Sequence, residues 1–73
     1  MSQRTKYLVL PSPYGWEGMM EGALRASVAS KSKEDVLERT IELARKREPS
    51  AVIIHDDNGA FEKELFYDES KTG

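Results

Sequence analysis

Ser32-Lys33-Glu34-Asp35-Val36-Leu37-Glu38-Arg39-Thr40-Ile41-Glu42-Leu43-Ala44-Arg45-Lys46-Arg47 is the stretch whose reading decides the fold. Val36, Leu37, Thr40, Ile41, Leu43 and Ala44 recur at helical spacing and give one core-facing stripe, with Glu38, Arg39, Glu42, Arg45 and Lys46 on the other side. Ser32 stands where its hydroxyl accepts from the orphan N–H of Asp35, a cap worth about 1 kcal/mol against Ala. Asp35 three residues on resembles the acidic member of a capping box. Glu34 and Asp35 suit the positive end of the helix dipole, and Arg45, Lys46 and Arg47 the negative end. Asp35 with Arg39 and Glu42 with Lys46 are favourable i,i+4 pairs. Pro49 drives Glu48 out of helical geometry and stops the helix.

Extended segments flank this helix. Lys6 to Leu10 reads Lys-Tyr-Leu-Val-Leu and is closed by Pro11. Pro11-Ser12-Pro13-Tyr14-Gly15 is a turn, with Gly15 free to take positive φ where the chain reverses. From Trp16, alternation sets Trp16, Gly18 and Met20 on one face and Glu17, Met19 and Glu21 on the other. Gly18 marks a bulge or a close packing partner. Gly22-Ala23 ends that strand, and Arg25 to Ala29 is a short third strand. After the helix, Ala51-Val52-Ile53-Ile54-His55 is apolar on both faces, as in a covered, central strand. Asp56-Asp57-Asn58-Gly59 predicts a hairpin in which Asn58 and Gly59 supply the two positive φ angles of a type I′ turn. Phe61, Lys63, Leu65 and Tyr67 alternate with Glu62, Glu64 and Phe66, an edge strand whose charges discourage aggregation.

The reading is a ββ(β)αββ α+β domain: a small antiparallel sheet with one amphipathic helix packed on one face, spanning residues 1–67, with a C-terminal tail at 68–73. The 73 residues leave room for one core. The chain has no Cys, which removes disulfides, zinc ribbons and thiol chemistry together. No apolar run approaches the roughly 20 residues needed to cross a bilayer. The N-terminal apolar run is too short for a signal peptide, so the expected location is the cytoplasm.

The order of these signals resembles the small bacterial family catalogued as domain of unknown function 2188. The resemblance rests on Gly15-Trp16, Glu21-Gly22-Ala23, Arg25-Ala26-Ser27, the capped helix with Ala44-Arg45-Lys46 near its end, Val52-Ile53-Ile54-His55-Asp56, Asn58-Gly59 and Tyr67. It implies this fold and a bacterial or phage setting, and no activity. The chain departs from the family pattern at Gly18, Met19 and Met20, and in an unusually apolar Leu65-Phe66. Those departures imply a stickier surface.

Residues with chemical potential read as structural. His55 is the sole histidine and lacks a second His or Cys to complete a metal site. At a strand end beside a turn it is a hydrogen-bonded structural residue. Counted as a calcium loop from Asp56, Gly59 falls at position four and Tyr67 at position twelve, so the turn reading holds. The serines lack a nucleophile elbow, and there is no Gly-rich phosphate loop. No enzyme, metal or cofactor is therefore expected. Trp16 is read as the main core aromatic beneath the helix, burying about 200 Å².

The expected function is a protein–protein interaction module, a homodimer included, with Tyr14, Met19, Met20, Arg25 and Phe66 as candidate contact residues and Leu24 adding to the apolar surplus. The alternative is a nucleic-acid-binding module using Arg25 and the cations of the helix C-terminus, with Lys31 and Lys33. A net charge of −2, from 11 basic and 13 acidic residues, tells mildly against it.

Overall fold

The computed structural model describes residues 4–68. Five strands and one helix follow in the order β1 (Thr5–Ser12), β2 (Gly15–Met20), β3 (Val28–Ser30), α1 (Lys33–Arg45), β4 (Ser50–His55) and β5 (Phe61–Tyr67). They form one sheet of order β3-β2-β1-β4-β5. The α+β architecture is the one expected, and the helix lies across one face. Its contacts reach β1, β2, β3 and β4.

One pairing differs from an all-antiparallel sheet. β1 and β2, β2 and β3, and β4 and β5 are antiparallel, but β1 and β4 run parallel, with Tyr7 opposite Val52 and Val9 opposite Ile54. The cause is the helix. A parallel pair needs a long crossover rather than a tight turn, and α1 supplies it by carrying the chain back across the sheet. β1 is therefore the central strand, and β4 lies between it and edge strand β5. The third strand forms at Val28–Ser30, later than Arg25 to Ala29, and makes the other edge. Asp68, the first residue of the expected tail, pairs with Arg4 at 2.8 Å. Residues 69–73 of that tail lie outside the described residues.

The helix begins as its sequence dictates. Ser32 is the N-cap, its Oγ accepting from the Asp35 N–H at 3.2 Å, and Arg39 reaches Asp35 at 3.3 Å. Val36, Thr40 and Ala44 are fully buried, one turn apart on the face that meets the sheet. They lie over Tyr7 and Val9 of β1, Val28 of β3, and Val52 and Ile54 of β4. Leu37, Ile41 and Leu43 flank this row half-buried.

Gly18 seats the helix. A Cβ at this position would overlap the Thr40 side chain and press on Val36, so only a glycine lets the backbone of β2 lie this close to α1. Of the two sequence readings for Gly18, close packing is the one observed. The Thr40 hydroxyl is buried and has no hydrogen-bond partner among the described residues. It occupies the space where a Cβ on Gly18 would stand.

Both hairpin turns show why local signals succeed or fail. Pro13 and Tyr14 join Ser12 to its partner Gly15, whose φ is +149°. A side chain at Gly15 would strike the backbone of Ser30 and Lys31. At the second hairpin Gly59 alone has positive φ, at +83°, so the turn is not type I′. Asp56 O accepts from Gly59 N at 2.9 Å, and Asp56 N donates to Ala60 O at 2.8 Å. This is a type I turn closed by a left-handed glycine. The Asp56 carboxylate displaces the expected geometry by accepting from Asn58 N at 2.9 Å and Ala60 N at 3.0 Å.

Gly18→Ala should lower stability by about 1–3 kcal/mol through overpacking against Thr40, and Gly18→Val by more. Urea unfolding followed by Trp16 fluorescence measures both. A wild-type midpoint for Gly18→Val would show that the helix does not rest on this strand.

Candidate functional site

Cross-strand register sorts the side chains onto two faces. Tyr7 with Met20, Val9 with Gly18 and Pro11 with Trp16 belong to the helix side, as do Val52 with Leu65 and Ile54 with Lys63. The other face has no helix on it. It carries Leu8 flanked by Met19 and Ile53, and Leu10 beside Glu17, with Lys6 and Glu64 at its margins. Toward one end Phe66 lies beside a fully buried Ala51, with the Arg4 guanidinium 5.3 Å from its ring centroid. Leu8, Leu10, Met19 and Ile53 are half-buried by their neighbours alone, and Phe66 is 59% exposed. Among the described residues, an apolar row crossing β2, β1 and β4 has no covering layer.

Of the expected contact residues, the structure brings Met19 and Phe66 to this face. Met20 sits on the helix side, packed against the core. Tyr14 is 87% exposed in the β1–β2 turn, and Arg25 is exposed in the β2–β3 connection. Leu24, in the same connection, is 98% exposed. The sequence reading missed Leu8, Leu10 and Ile53, because an apolar run looks alike whether it is buried on two faces or on one. It also placed Phe61 with Lys63, Leu65 and Tyr67. A register shift between Ile54 and His55 pairs Phe61 with His55 and takes it out of that row.

Tyr14 and Trp16 line one small cavity, and Tyr7 lies apart from them in the core. Tyr7, at 2% exposure, is the deep core aromatic, while Trp16 is half-buried near the helix start. The Lys33 ammonium lies 4.8 Å from the Trp16 ring centroid and 2.7 Å from a Glu62 carboxylate oxygen. One cation thereby ties the first turn of the helix to β2 and to β5. At the opposite end, Arg45 lies over Tyr67 at 5.8 Å, and the Ser50 hydroxyl donates to Ala44 O.

The His55 Nδ1 lies 3.1 Å from the Val9 carbonyl oxygen on the neighbouring strand. The cations considered for nucleic acid divide. Lys31 and Lys33 lie where β3 ends and α1 begins, whereas Arg25 and Arg45 to Arg47 lie at the other end of the sheet. Between β3 and the flank of α1 runs a groove of about 520 Å³, lined by Ser27, Val28, Glu38, Glu42 and Leu43 among others. A smaller cavity of about 250 Å³ lies by the β1–β2 turn, between Tyr14, Trp16 and the end of β3.

A family model described as an uncharacterized protein conserved in bacteria matches residues 7–67. The chain belongs to the DUF2188 family. That match covers every element except the first two residues of β1. No curated protein and no solved structure matches the chain. No helix among the described residues is long and apolar enough to cross a membrane.

Asp56 has a charge state tied to the second hairpin. Hydrogen bonds from the backbone of Ala60 and then Asn58 hold its carboxyl below the ordinary value of 3.8, aided by Lys33 and His55. A depressed carboxyl contributes stability that is full above the unfolded value and lost as pH falls through the lower folded one. The gap in urea midpoint between wild type and Asp56→Ala should therefore be constant from pH 7 to pH 5 and should close below 3.8. A gap unchanged at pH 2 would mean that the carboxylate does not hold this turn.

Proposed function

We propose that this protein is a non-enzymatic interaction module that pairs with a second copy of itself through the helix-free face of its sheet. The observation behind the reading is the row Met19-Leu8-Ile53, in register across three strands and uncovered, with Phe66 exposed beside it. Exposed apolar patches of this kind mark contact surfaces.

Size and charge favour a second copy. Strands about 4.8 Å apart and about 3.3 Å per residue give a face of roughly 500 Å², so a face-to-face pair covers about 1,000 Å², the lower bound for a specific interface. Lys6 and Phe66 lie toward one end of the face, and Leu10 with Glu17 toward the other. A two-fold axis in the interface plane, perpendicular to the strands, brings Lys6 of one copy toward Glu17 of its partner. Such an interface is self-complementary. Edge-to-edge pairing of two β5 strands is less suitable, because Glu62, Lys63 and Glu64 blunt that edge.

Light scattering on a size-exclusion column, across a concentration series, tests the reading. The wild type should approach twice the 8.3 kDa chain mass as concentration rises. Phe66→Glu and Met19→Glu should hold it at the monomer mass with unchanged circular dichroism. Lys6→Glu should weaken pairing, and adding Glu17→Lys should restore it. A wild type that stays monomeric throughout sinks the homodimer.

A further inference from the structure

The two cavities share one wall, and that wall is an edge strand. β3 pairs with β2 alone, so its outer backbone edge is open among the described residues. The larger groove touches the start of the strand at Ser27 and Val28, and the smaller cavity touches its end at Ala29, Ser30 and Lys31. The geometry points to β3 as the docking edge for an extended segment of a partner protein, apolar at one end and basic at the other. The segment would add a sixth strand, its main chain pairing with β3 and its side chains filling the two cavities.

Dimensions and chemistry agree with this occupant. The strand rise of about 3.3 Å per residue makes β3 roughly 10 Å long, so side chains three or four residues apart on an added strand reach both cavities. Added strands draw affinity from main-chain hydrogen bonds and specificity from pockets for alternate side chains. The larger groove is lined by Asp35, Glu38 and Glu42 against the single cation Arg39. Arg39 is engaged with Asp35 at 3.3 Å, which leaves the carboxylates of Glu38 and Glu42 to face the groove. Val28 and Leu43 give it an apolar floor. A Lys or Arg side chain, with a long apolar stem and a charged head, matches both features. At the other end Tyr14 and Trp16 form aromatic walls suited to an aromatic or proline side chain. Antiparallel addition is the commoner mode, and it sets the apolar residue before the basic ones in the segment.

The smaller cavity meets the helix-free face at Glu17, but the larger groove on the helix flank does not, so Glu38 and Glu42 test the edge apart from self-association. The probe is the hexapeptide Trp-Thr-Val-Lys-Val-Lys, with Trp-Thr-Val-Glu-Val-Glu as its control, titrated into the full ¹⁵N-labelled chain to about 1 mM, where weak contacts half-saturate. The lysine peptide should shift the amides of Ser27 to Lys31 together with Tyr14, Glu38 and Glu42, and should do so less as salt rises. The glutamate peptide should leave them in place. Glu38→Lys with Glu42→Lys changes two exposed helix residues and should weaken the lysine peptide by at least about tenfold, while leaving self-association as in the wild type. Absence of shifts, shifts confined to Leu8, Met19 and Ile53, or equal binding of the two peptides would each overturn the proposal.

Discussion

The structure depends on one close approach, the seating of the helix on Gly18. Thr40 and Val36 occupy the space that a side chain on Gly18 would need. Three features follow from the approach. The helix descends far enough to bury Val36, Thr40 and Ala44 completely. Its flanks reach β3 on one side and β4 on the other. The whole apolar contribution of a 13-residue helix is thereby spent on one face of the sheet. The described residues hold a single helix, so among them the opposite face of the sheet has no layer over it.

Polar contacts hold this arrangement at the two ends of the helix. At the start, Lys33 touches both Trp16 and Glu62, which belong to strands on opposite sides of the centre. At the finish, Ser50 returns a hydroxyl to the last turn, and Arg4 links the start of β1 to Ser50 O and Asp68. The exposed ion pairs among these add little individually. Their effect is on position: Lys33 ties the first turn of the helix to β2 and β5.

What the sequence made legible was local. The Ser32 cap, the Asp35–Arg39 pair, the stripe of the helix and the alternation of Trp16, Gly18 and Met20 all depend on neighbours within a turn or two, and each is found. The parallel pairing of β1 with β4 joins residues over 40 positions apart and leaves no local mark. Asn58-Gly59 was misread because Asp56 offers its carboxylate to two backbone donors, a competitor the dipeptide signal ignores. For the candidate site, Met19 and Phe66 were legible as apolar residues in otherwise polar alternation. Leu8, Leu10 and Ile53 were hidden inside runs that read as core. Only the register, and the single layer of helix, separates the two kinds of apolar residue.

Met19 and Met20 are adjacent in the chain and lie on opposite faces, one on the uncovered side and one against the core. The most direct measurement is an NMR spectrum of their ¹³C-labelled methyl groups across a concentration series, with a soluble paramagnetic agent present. The Met19 methyl should shift and lose contact with the agent as concentration rises, while the Met20 methyl stays unchanged. A Met19 methyl equally accessible at every concentration, or a Met20 methyl moving in step with it, would contradict an account in which the helix closes one face and a second copy closes the other.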